Sequence, residues 1–163
     1  NQLGQEGSEH VAACLQVNQH VTRLNMGGNK IGDDGLRKLA SCFSSPSFSL
    51  QHLQLYSNNI SDVGGRELLE SLRGSTSLRS LDLAGNLLSC DCLLGPELAL
   101  PSQLTSLSLA HNLLADAGAE ALARCARESS SLTRIDVSGN FMGEEARERI
   151  RVLVAHNVRL RDL

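Results

Sequence analysis

The sequence predicts an α/β repeat protein in which each repeat contributes one strand and one helix. Three observations support this fold class. A pattern of about 28 residues recurs along the 163-residue chain. The first half of each copy has the two-residue period of a strand, and the second half has the period of a helix. Leu, with 30 occurrences, supplies the core volume that three Phe, one Tyr and no Trp cannot fill.

The repeat has apolar residues at its first, fourth, sixth and eleventh positions and an Asn at its ninth. It occurs five complete times, with first positions at residues 21, 50, 78, 104 and 132. Its defining residues in the second copy are Leu50, Leu53, Leu55, Asn58 and Ile60. Five copies in register are too many for a chance match, so we interpret the chain as a stack of equivalent units.

Partial copies at the two ends extend the pattern. Asn1 and Leu3 match the end of a strand motif, and Leu160 and Leu163 match the start of another. We therefore expect residues 1–163 to be a single repeat domain with half-repeats at both ends, taken from a larger protein. We also expect the last residues to lie in a strand.

The first half of each repeat predicts a strand followed by a turn. The fourth and sixth positions lie on one face of a strand, so the third and fifth point the other way. The ninth-position Asn is suited to the turn, because its side chain bonds readily to nearby backbone groups.

The second half of each repeat predicts a helix. Apolar residues recur at the nineteenth and twenty-third positions, for example Leu39 with Phe43 and Leu68 with Leu72, and form one buried stripe. Acidic residues recur at the thirteenth position, where we expect them to cap or favour the helix N-terminus. They are Asp33, Asp62, Asp116 and Glu144.

Two stretches break the pattern. The third repeat is only 26 residues long, and Pro96 stands where its helix would be apolar, so Cys90 to Glu97 predicts a loop with at most a short helix. The stretch Ser44 to Ser49 is predicted to end the second helix early. The irregular loop is either a second binding surface or sequence drift.

These residues resemble those of leucine-rich repeat proteins of the ribonuclease-inhibitor-like class. The resemblance covers essentially the whole chain. It implies a curved solenoid with a parallel sheet on the concave side and helices on the convex side. The class includes ribonuclease inhibitors, the sensing domains of NOD-like receptors, the Ran GTPase-activating protein and intracellular scaffolds.

We expect the concave sheet face to bind a protein partner. Its side chains are mainly polar or small, with Ala84 and Ala110 among the small ones. The nine residues predicted to carry binding are Arg23, Asn25, His52, Gln54, Tyr56, Asp82, His111, Arg134 and Asp136. Tyr56, the single Tyr, is the favoured anchor, because Tyr is enriched among residues that dominate binding energy. Alternatively, its ring covers the turn beside Asn58.

The other ionisable residues predict structural roles. Cys14, Cys42 and Cys125 share the twenty-second position, so we expect all three to be small buried apolar residues. Glu145–Arg149 and Glu148–Arg151 are spaced as ion pairs on a solvent-exposed helix face. The pair Cys90 and Cys92 lacks the further ligands of a zinc site.

Composition excludes several function classes. The net charge of −3 gives no basis for nucleic-acid binding, and no long apolar run predicts a membrane span. Five Cys without a signal peptide favour a reduced, intracellular protein, cytoplasmic or nuclear. No catalytic constellation, metal site or cofactor motif is present, so we predict a non-enzyme.

The sequence therefore predicts an interaction module, a scaffold or recognition domain of an intracellular protein. Two alternatives are a regulator of an enzyme, of GTPase-activating or ribonuclease-inhibitor type, and a sensing domain of NOD-like-receptor type. Flanking domains of the parent chain are expected partners. A third alternative is self-association through uncapped ends of the solenoid.

Overall fold

The computed structural model describes residues 2–45, 48–94 and 99–161. Strands and helices alternate along these residues, with one 3₁₀ helix, Cys90–Cys92, in place of the helix of the third repeat. The strands are β1 (Arg23–Asn25), β2 (His52–Gln54), β3 (Ser80–Asp82), β4 (Ser106–Ser108) and β5 (Arg134–Asp136). The helices are α1 (Gly4–Val17), α2 (Gly32–Phe43), α3 (Asp62–Leu72), α4 (Asp116–Glu128) and α5 (Glu144–Arg161).

The five strands form one parallel sheet in the order β1-β2-β3-β4-β5. Equivalent repeat positions pair directly, so Leu24 faces Leu53, Leu53 faces Leu81, and the alignment continues to Ile135. Neighbouring helices pack on one another as well, α1 on α2, α2 on α3 and α4 on α5. The predicted α/β repeat architecture is confirmed.

One core lies between the sheet and the helices. The fourth-position residues Leu53, Leu81 and Leu107 are at most 2% exposed, and the sixth positions are buried in all five complete repeats. The outer strands leave their fourth-position residues, Leu24 and Ile135, half-buried, because each has a neighbour on one side only. The predicted helical stripe is buried too, as at Leu39 and Leu68.

The ninth-position Asn side chains form a ladder between repeats. The Asn86 Oδ1 accepts the backbone N–H of Asn58 at 3.0 Å, and its Nδ2 donates to the carbonyls of Leu55 and Leu83 at 3.1 and 2.9 Å. Asn58 bonds in the same way to the first complete repeat. Asn112 and Asn140 donate in the same way, but their Oδ1 atoms accept the N–H groups of Leu88 and Leu114. The predicted turn role is thus confirmed, and each Asn also fastens its repeat to its neighbour.

Three of the four thirteenth-position acids bond to the following repeat rather than to their own helix, whereas Glu144 pairs with Arg147 and Arg151 within α5. The Asp62 carboxylate accepts the backbone N–H of Ser89 at 2.8 Å and the Ser89 hydroxyl at 2.7 Å. The Asp33 carboxylate bonds to Ser61 in the same way, and Asp116 accepts the N–H of Gly143 at 2.7 Å. All four acids lie in the first turn of their helices, so the prediction that they favour the helix N-terminus is confirmed. The capping alternative is wrong for Asp33, Asp62 and Asp116, whose carboxylates hold the chain that leads into the next helix.

The third repeat lacks a regular helix, as predicted. The described part of this region holds only the 3₁₀ helix, Cys90–Cys92, and α3 and α4 do not contact each other there. Gly95, Pro96 and Glu97 of the predicted loop lie outside the described residues. The second helix ends at Phe43, before the Ser44 to Ser49 stretch, of which Pro46 and Ser47 are also outside the described residues.

The prediction of a strand at the C-terminal end is wrong at Leu160, which lies in α5. Between its helix and its next strand, every complete repeat but the last contains Ser, Gly or Pro, which end helices. Residues 144–161 contain none of these. In addition, Asn157 is buried in α5 and donates to the carbonyls of Ala126 and Leu132, at 2.9 Å each. Leu163 lies outside the described residues.

The prediction that three cysteines are equally buried is wrong for Cys14. Cys42 and Cys125 are 7% and 4% exposed, whereas Cys14 is exposed. The Cys42 thiol points at the preceding helix and donates to the carbonyl of Ala12 in α1 at 3.4 Å. Cys14 lies in α1, and no described helix precedes it, so the same position faces solvent.

Candidate protein-binding face

Register places the outward side chains of the strands in two straight rows, which together form the strand face. The first row holds the third positions, Arg23, His52, Ser80, Ser106 and Arg134. The second row holds the fifth positions, Asn25, Gln54, Asp82, Ser108 and Asp136. Neighbours within a row are one strand spacing, about 4.8 Å, apart.

Seven of the nine predicted residues lie in these two rows, and Tyr56 and His111 follow strands β2 and β4. Five of the nine are exposed: Arg23, Asn25, Gln54, His111 and Arg134. The other four are half-buried: His52, Tyr56, Asp82 and Asp136. Ala110, expected on the same face, is buried, because the chain turns inward toward Asn112 there.

The fifth-position side chains also hold the turn that follows their strand. Asn25, Asp82 and Asp136 each accept, through Oδ1, the backbone N–H two residues further on, at 3.0 Å. The Ser138 hydroxyl adds a second hydrogen bond to Asp136 at 2.7 Å. Sequence reasoning treated the two acids as binding residues alone and missed this local bond, although the Asp-x-Ser pattern at 136–138 is typical of it.

The hydrogen bonds at Asp136 favour its charged form. Backbone and hydroxyl hydrogen bonds from Ser138 lower the pKa of this carboxyl, and the charges of Arg134 and His111 lower it further. Asp136 is therefore an anion at neutral pH, next to the Arg134 cation. Asp82 lies two strands away in the same row, about 10 Å distant.

Tyr56 packs on the preceding repeat. A methyl group placed on Gly27 would come closer than 3 Å to the Tyr56 ring, so the ring lies directly over the Gly27 backbone. The Tyr56 backbone carbonyl also accepts the N–H of Gly28 at 2.8 Å. The ring therefore covers a turn, as the structural alternative predicted, but the turn is that of the first complete repeat and not the one beside Asn58. The Tyr56 residue is half-buried, and its role as an anchor remains a prediction.

The residue at the eighth repeat position has a left-handed backbone in all five complete repeats. These residues, with φ from 53 to 69°, are Gly28, Ser57, Gly85, His111 and Gly139. His111 adopts this conformation without the freedom of glycine, and its ring lies over Gly139, where an added methyl group would collide with it. The Tyr56 and His111 rings thus both lie on glycine backbone.

A family model for leucine-rich repeats matches residues 17–40, 47–69, 74–88 and 102–123, more than half of the chain. Together with the strand–helix repeats and the Asn ladder, this match shows that the chain belongs to the leucine-rich repeat family. Within the family it is of the ribonuclease-inhibitor-like class, as predicted.

Several curated relatives are similar in sequence. The chain is 30% identical over 149 residues to the ribonuclease inhibitor of Sus scrofa, an alignment that covers 87% of this chain and 32% of the relative. It is 33% identical to NACHT, LRR and PYD domains-containing protein 14 of Mus musculus, over 56% of this chain and 10% of that one. It is 27% identical to RAN GTPase-activating protein 2 of Arabidopsis thaliana, over 55% and 16% of the two chains. The chain thus spans about a third or less of these relatives.

Two solved structures have the same fold. The actin-binding site 2 of leiomodin-1 superposes with a TM-score of 0.75 at 14% identity and covers 96% of this chain and 90% of its own. The tropomodulin C-terminal domain of Caenorhabditis elegans superposes with a TM-score of 0.71 at 22% identity and covers 97% of both chains. Within the described residues, no helix is long and apolar enough to cross a membrane.

Proposed function

We propose that the chain is a protein-recognition module that binds its partner through the strand face. The observation that carries the proposal is the alignment of ten outward side chains in two rows, with Arg23 and Arg134 at opposite ends of one row and Asp82 and Asp136 in the other. These charged side chains point away from the core and are available to a partner. Their mixed signs favour a protein surface over a polyanion.

The strand face is too small to form a standard protein interface by itself. Four steps of about 4.8 Å give rows about 19 Å long, and the strands with their turns add a width of about 20 Å. The resulting area of about 400 Å² is half of the roughly 800 Å² that each partner buries in a standard interface. The partner therefore contacts neighbouring surfaces or further repeats as well.

We also infer that the chain acts inside the cell, without catalytic activity, as one domain of a longer protein. Five free cysteines support a reducing compartment. The acids Asp82 and Asp136 are too far apart for joint acid–base catalysis. The lengths of the curated relatives support a longer parent chain.

The test uses a photocrosslinking amino acid at one position on each side of the domain. Gln54 is exposed on the strand face, and Glu70 is exposed on the helical side in α3. Expressed in cells within its parent chain, the Gln54 variant is expected to crosslink a protein partner that the Glu70 variant does not. Crosslinks from Glu70 alone contradict the proposal.

Affinity measurements with the crosslinked partner then locate the binding residues. Tyr56→Ala and Arg134→Ala, made separately, are each expected to weaken binding while circular dichroism shows an intact fold. Unchanged affinity in both variants excludes the strand face as the binding surface.

Regulation of an enzyme is the second candidate function. The similarity to ribonuclease inhibitor and to RAN GTPase-activating protein 2 supports it, and the similarity to NACHT, LRR and PYD proteins supports a sensing role instead. A ribonuclease and GTP-loaded Ran are the two target enzymes for the test. Inhibition of the first or faster GTP hydrolysis by the second supports regulation, and the absence of both effects contradicts it.

A further inference from the structure

A row of exposed apolar side chains runs along one edge of the sheet. Leu87, Leu113 and Phe141 occupy the tenth position of the third, fourth and fifth repeats and are 50%, 46% and 73% exposed. We call these three residues the apolar row. The same position in the first two repeats is polar, with Lys30 and Asn59. The change of character occurs at the irregular repeat.

The backbone holds the apolar row in register. The N–H groups of Leu87, Leu113 and Phe141 donate to eleventh-position carbonyls of the preceding repeats, each at 2.8 Å. Successive members therefore stand one repeat step, about 4.8 Å, apart. The core does not use them, because the eleventh-position residues, for example Leu88 and Leu114, fill the buried site beside them.

Acidic residues follow the apolar row in every repeat that contributes to it. Segments 86–92, 112–118 and 140–146 contain Asp91, Asp116, Glu144 and Glu145 but no Lys, Arg or His. Arginines of α5 pair with the two glutamates. At the third repeat the Arg66 side chain bonds to the backbone carbonyl of Asp91 and leaves its carboxylate exposed. The carboxylates of Asp91 and Asp116 thus give the third and fourth repeats of the apolar row a negative flank, whereas the glutamates of the fifth repeat are paired.

We propose that the apolar row docks an amphipathic helix of a partner protein, with basic residues beside its apolar stripe. Side chains one helical turn apart are about 5.4 Å apart along a helix, close to the repeat step of about 4.8 Å. An extended peptide repeats its same-side residues every 6.6 Å or so and falls out of step over three members. The basic flank of the helix complements Asp91 and Asp116.

This surface adds to the strand face and is independent of it. The tenth position follows the left-handed eighth-position residues, so the apolar row borders the strand face at Gly85, His111 and Gly139. One partner that contacts both surfaces would reach the area that the strand face lacks.

The probe is a fluorescein-labelled 18-residue helical peptide with Leu at positions i, i+4 and i+7 and Lys on either side. Fluorescence anisotropy with the wild-type domain is expected to show saturable binding. Leu113→Arg and Phe141→Ser are each expected to weaken binding at least about tenfold. Asn59→Gly changes the same repeat position outside the apolar row, suits the left-handed backbone there (φ 57°) and is the control, with affinity unchanged. Circular dichroism of each variant confirms that it folds.

Two further peptides test the chemistry of the occupant. A peptide of the same composition with scattered Leu positions, and one with Glu in place of Lys, are both expected to bind at least about tenfold more weakly. The proposal is overturned if either of these two peptides binds as tightly as the original Leu and Lys peptide, or if that original peptide does not bind. Unchanged affinity of the original peptide for the Leu113→Arg variant overturns it as well. Concentration-dependent dimers that Leu113→Arg abolishes would assign the apolar row to a second copy of this chain.

Arg134→Ala separates this inference from the proposed function. That variant is expected to bind the peptide as the wild type does, because Arg134 lies in the strand face. If the peptide does not bind but Gln54 still crosslinks a partner, the result contradicts only the docking of a helix and leaves the proposed function intact.

Discussion

The Cys90 thiol accepts the backbone N–H of Ala115 at 3.3 Å, in the position where Asp33 and Asp62 accept the N–H groups of Ser61 and Ser89. Cys90 is the thirteenth residue of the third repeat, so a thiol stands where the other repeats have a carboxylate. Ala115 precedes α4 and, unlike Ser61, makes no side-chain capping bond. The connection that leads into α4 therefore lacks the carboxylate acceptor and the serine hydroxyl that are present at Ser61 and Ser89.

Cys90→Asp is expected to stabilise the domain by about 1 kcal/mol, because a carboxylate accepts the Ala115 N–H more strongly than a thiol and lies near the positive end of α4. Urea unfolding at pH 7 measures the change. Cys90→Ala, which removes the acceptor, is the control and is expected to lower stability. The double variant Cys90→Asp with Ala115→Ser recreates the Asp62–Ser89 arrangement and is expected to be the most stable. An Asp variant less stable than the Ala variant contradicts this interpretation.

The sequence predicts the fold well because each repeat carries the same signals. Period, Asn position and apolar stripe agree in five copies, so an error in one does not change the class. The ends lack this redundancy. Leu160 matches a strand motif by two residues, yet the helix-forming residues 144–161 outweigh it. Burial at Cys14 depends on a neighbouring helix, which residue type alone does not reveal.

The candidate site is predictable in its rows but not in its local bonds. Alternation places Arg134 and Asp136 on the outward face, and the register confirms that placement. The Ser138 bonds to Asp136 and the packing of Tyr56 on Gly27 depend on side-chain directions that periodicity does not encode. The apolar row was missed because Leu87 and Leu113 adjoin buried leucines and have the composition of core residues.

Gly27→Ala is expected to destabilise the domain by about 1–3 kcal/mol, because the new methyl group collides with the Tyr56 ring. Tyr56→Ala removes the ring, so the Gly27→Ala change made in that background is expected to cost much less. A double-mutant cycle, measured by chemical unfolding, gives the coupling. Gly74→Ala is the control, because an added methyl group there meets no atom within 4 Å. Additive effects of the two changes would show that the ring does not lie on Gly27 in solution.

Asn86→Ala is expected to destabilise the domain by about 2–4 kcal/mol. Its side chain accepts the buried N–H groups of Asn58 and Ile60, which would be left without an acceptor. It also donates to the carbonyls of Leu55 and Leu83, which would keep the Asn58 and Asn112 amides as donors. Asn140→Ala is the matched comparison. Asn140 is half-buried and accepts one N–H, from Leu114, so we expect a smaller loss. Equal losses of unfolding free energy in Asn86→Ala and Asn140→Ala would show that the contribution of each Asn does not depend on its burial.

Acid is expected to destabilise the domain through Asp62 and Asp136. Burial raises the pKa of Asp62, but hydrogen bonds from Ser89 and Cys92 outweigh this effect and lower it. The hydrogen bonds from Ser138 lower the pKa of Asp136. Since both carboxyls bind protons less tightly in the native state, their contribution is complete above the unfolded pKa of about 3.9 and is lost as the pH falls through the lower native values.

Urea unfolding from pH 7 down to pH 3 measures this dependence. Asp62→Asn and Asp136→Asn are each expected to make the free energy of unfolding fall less steeply in acid, because each removes one group that releases its proton more readily when native. Asp34→Asn is the control: its side chain is 66% exposed and pairs with Arg37 on the surface of α2, where an ion pair contributes little. We expect its profile to run parallel to that of the wild type. Two outcomes would show that these hydrogen bonds do not favour the charged carboxylates in the native state. One is a wild-type free energy of unfolding that does not change below pH 5. The other is a pH dependence that is equally steep in the wild type and in the two Asn variants.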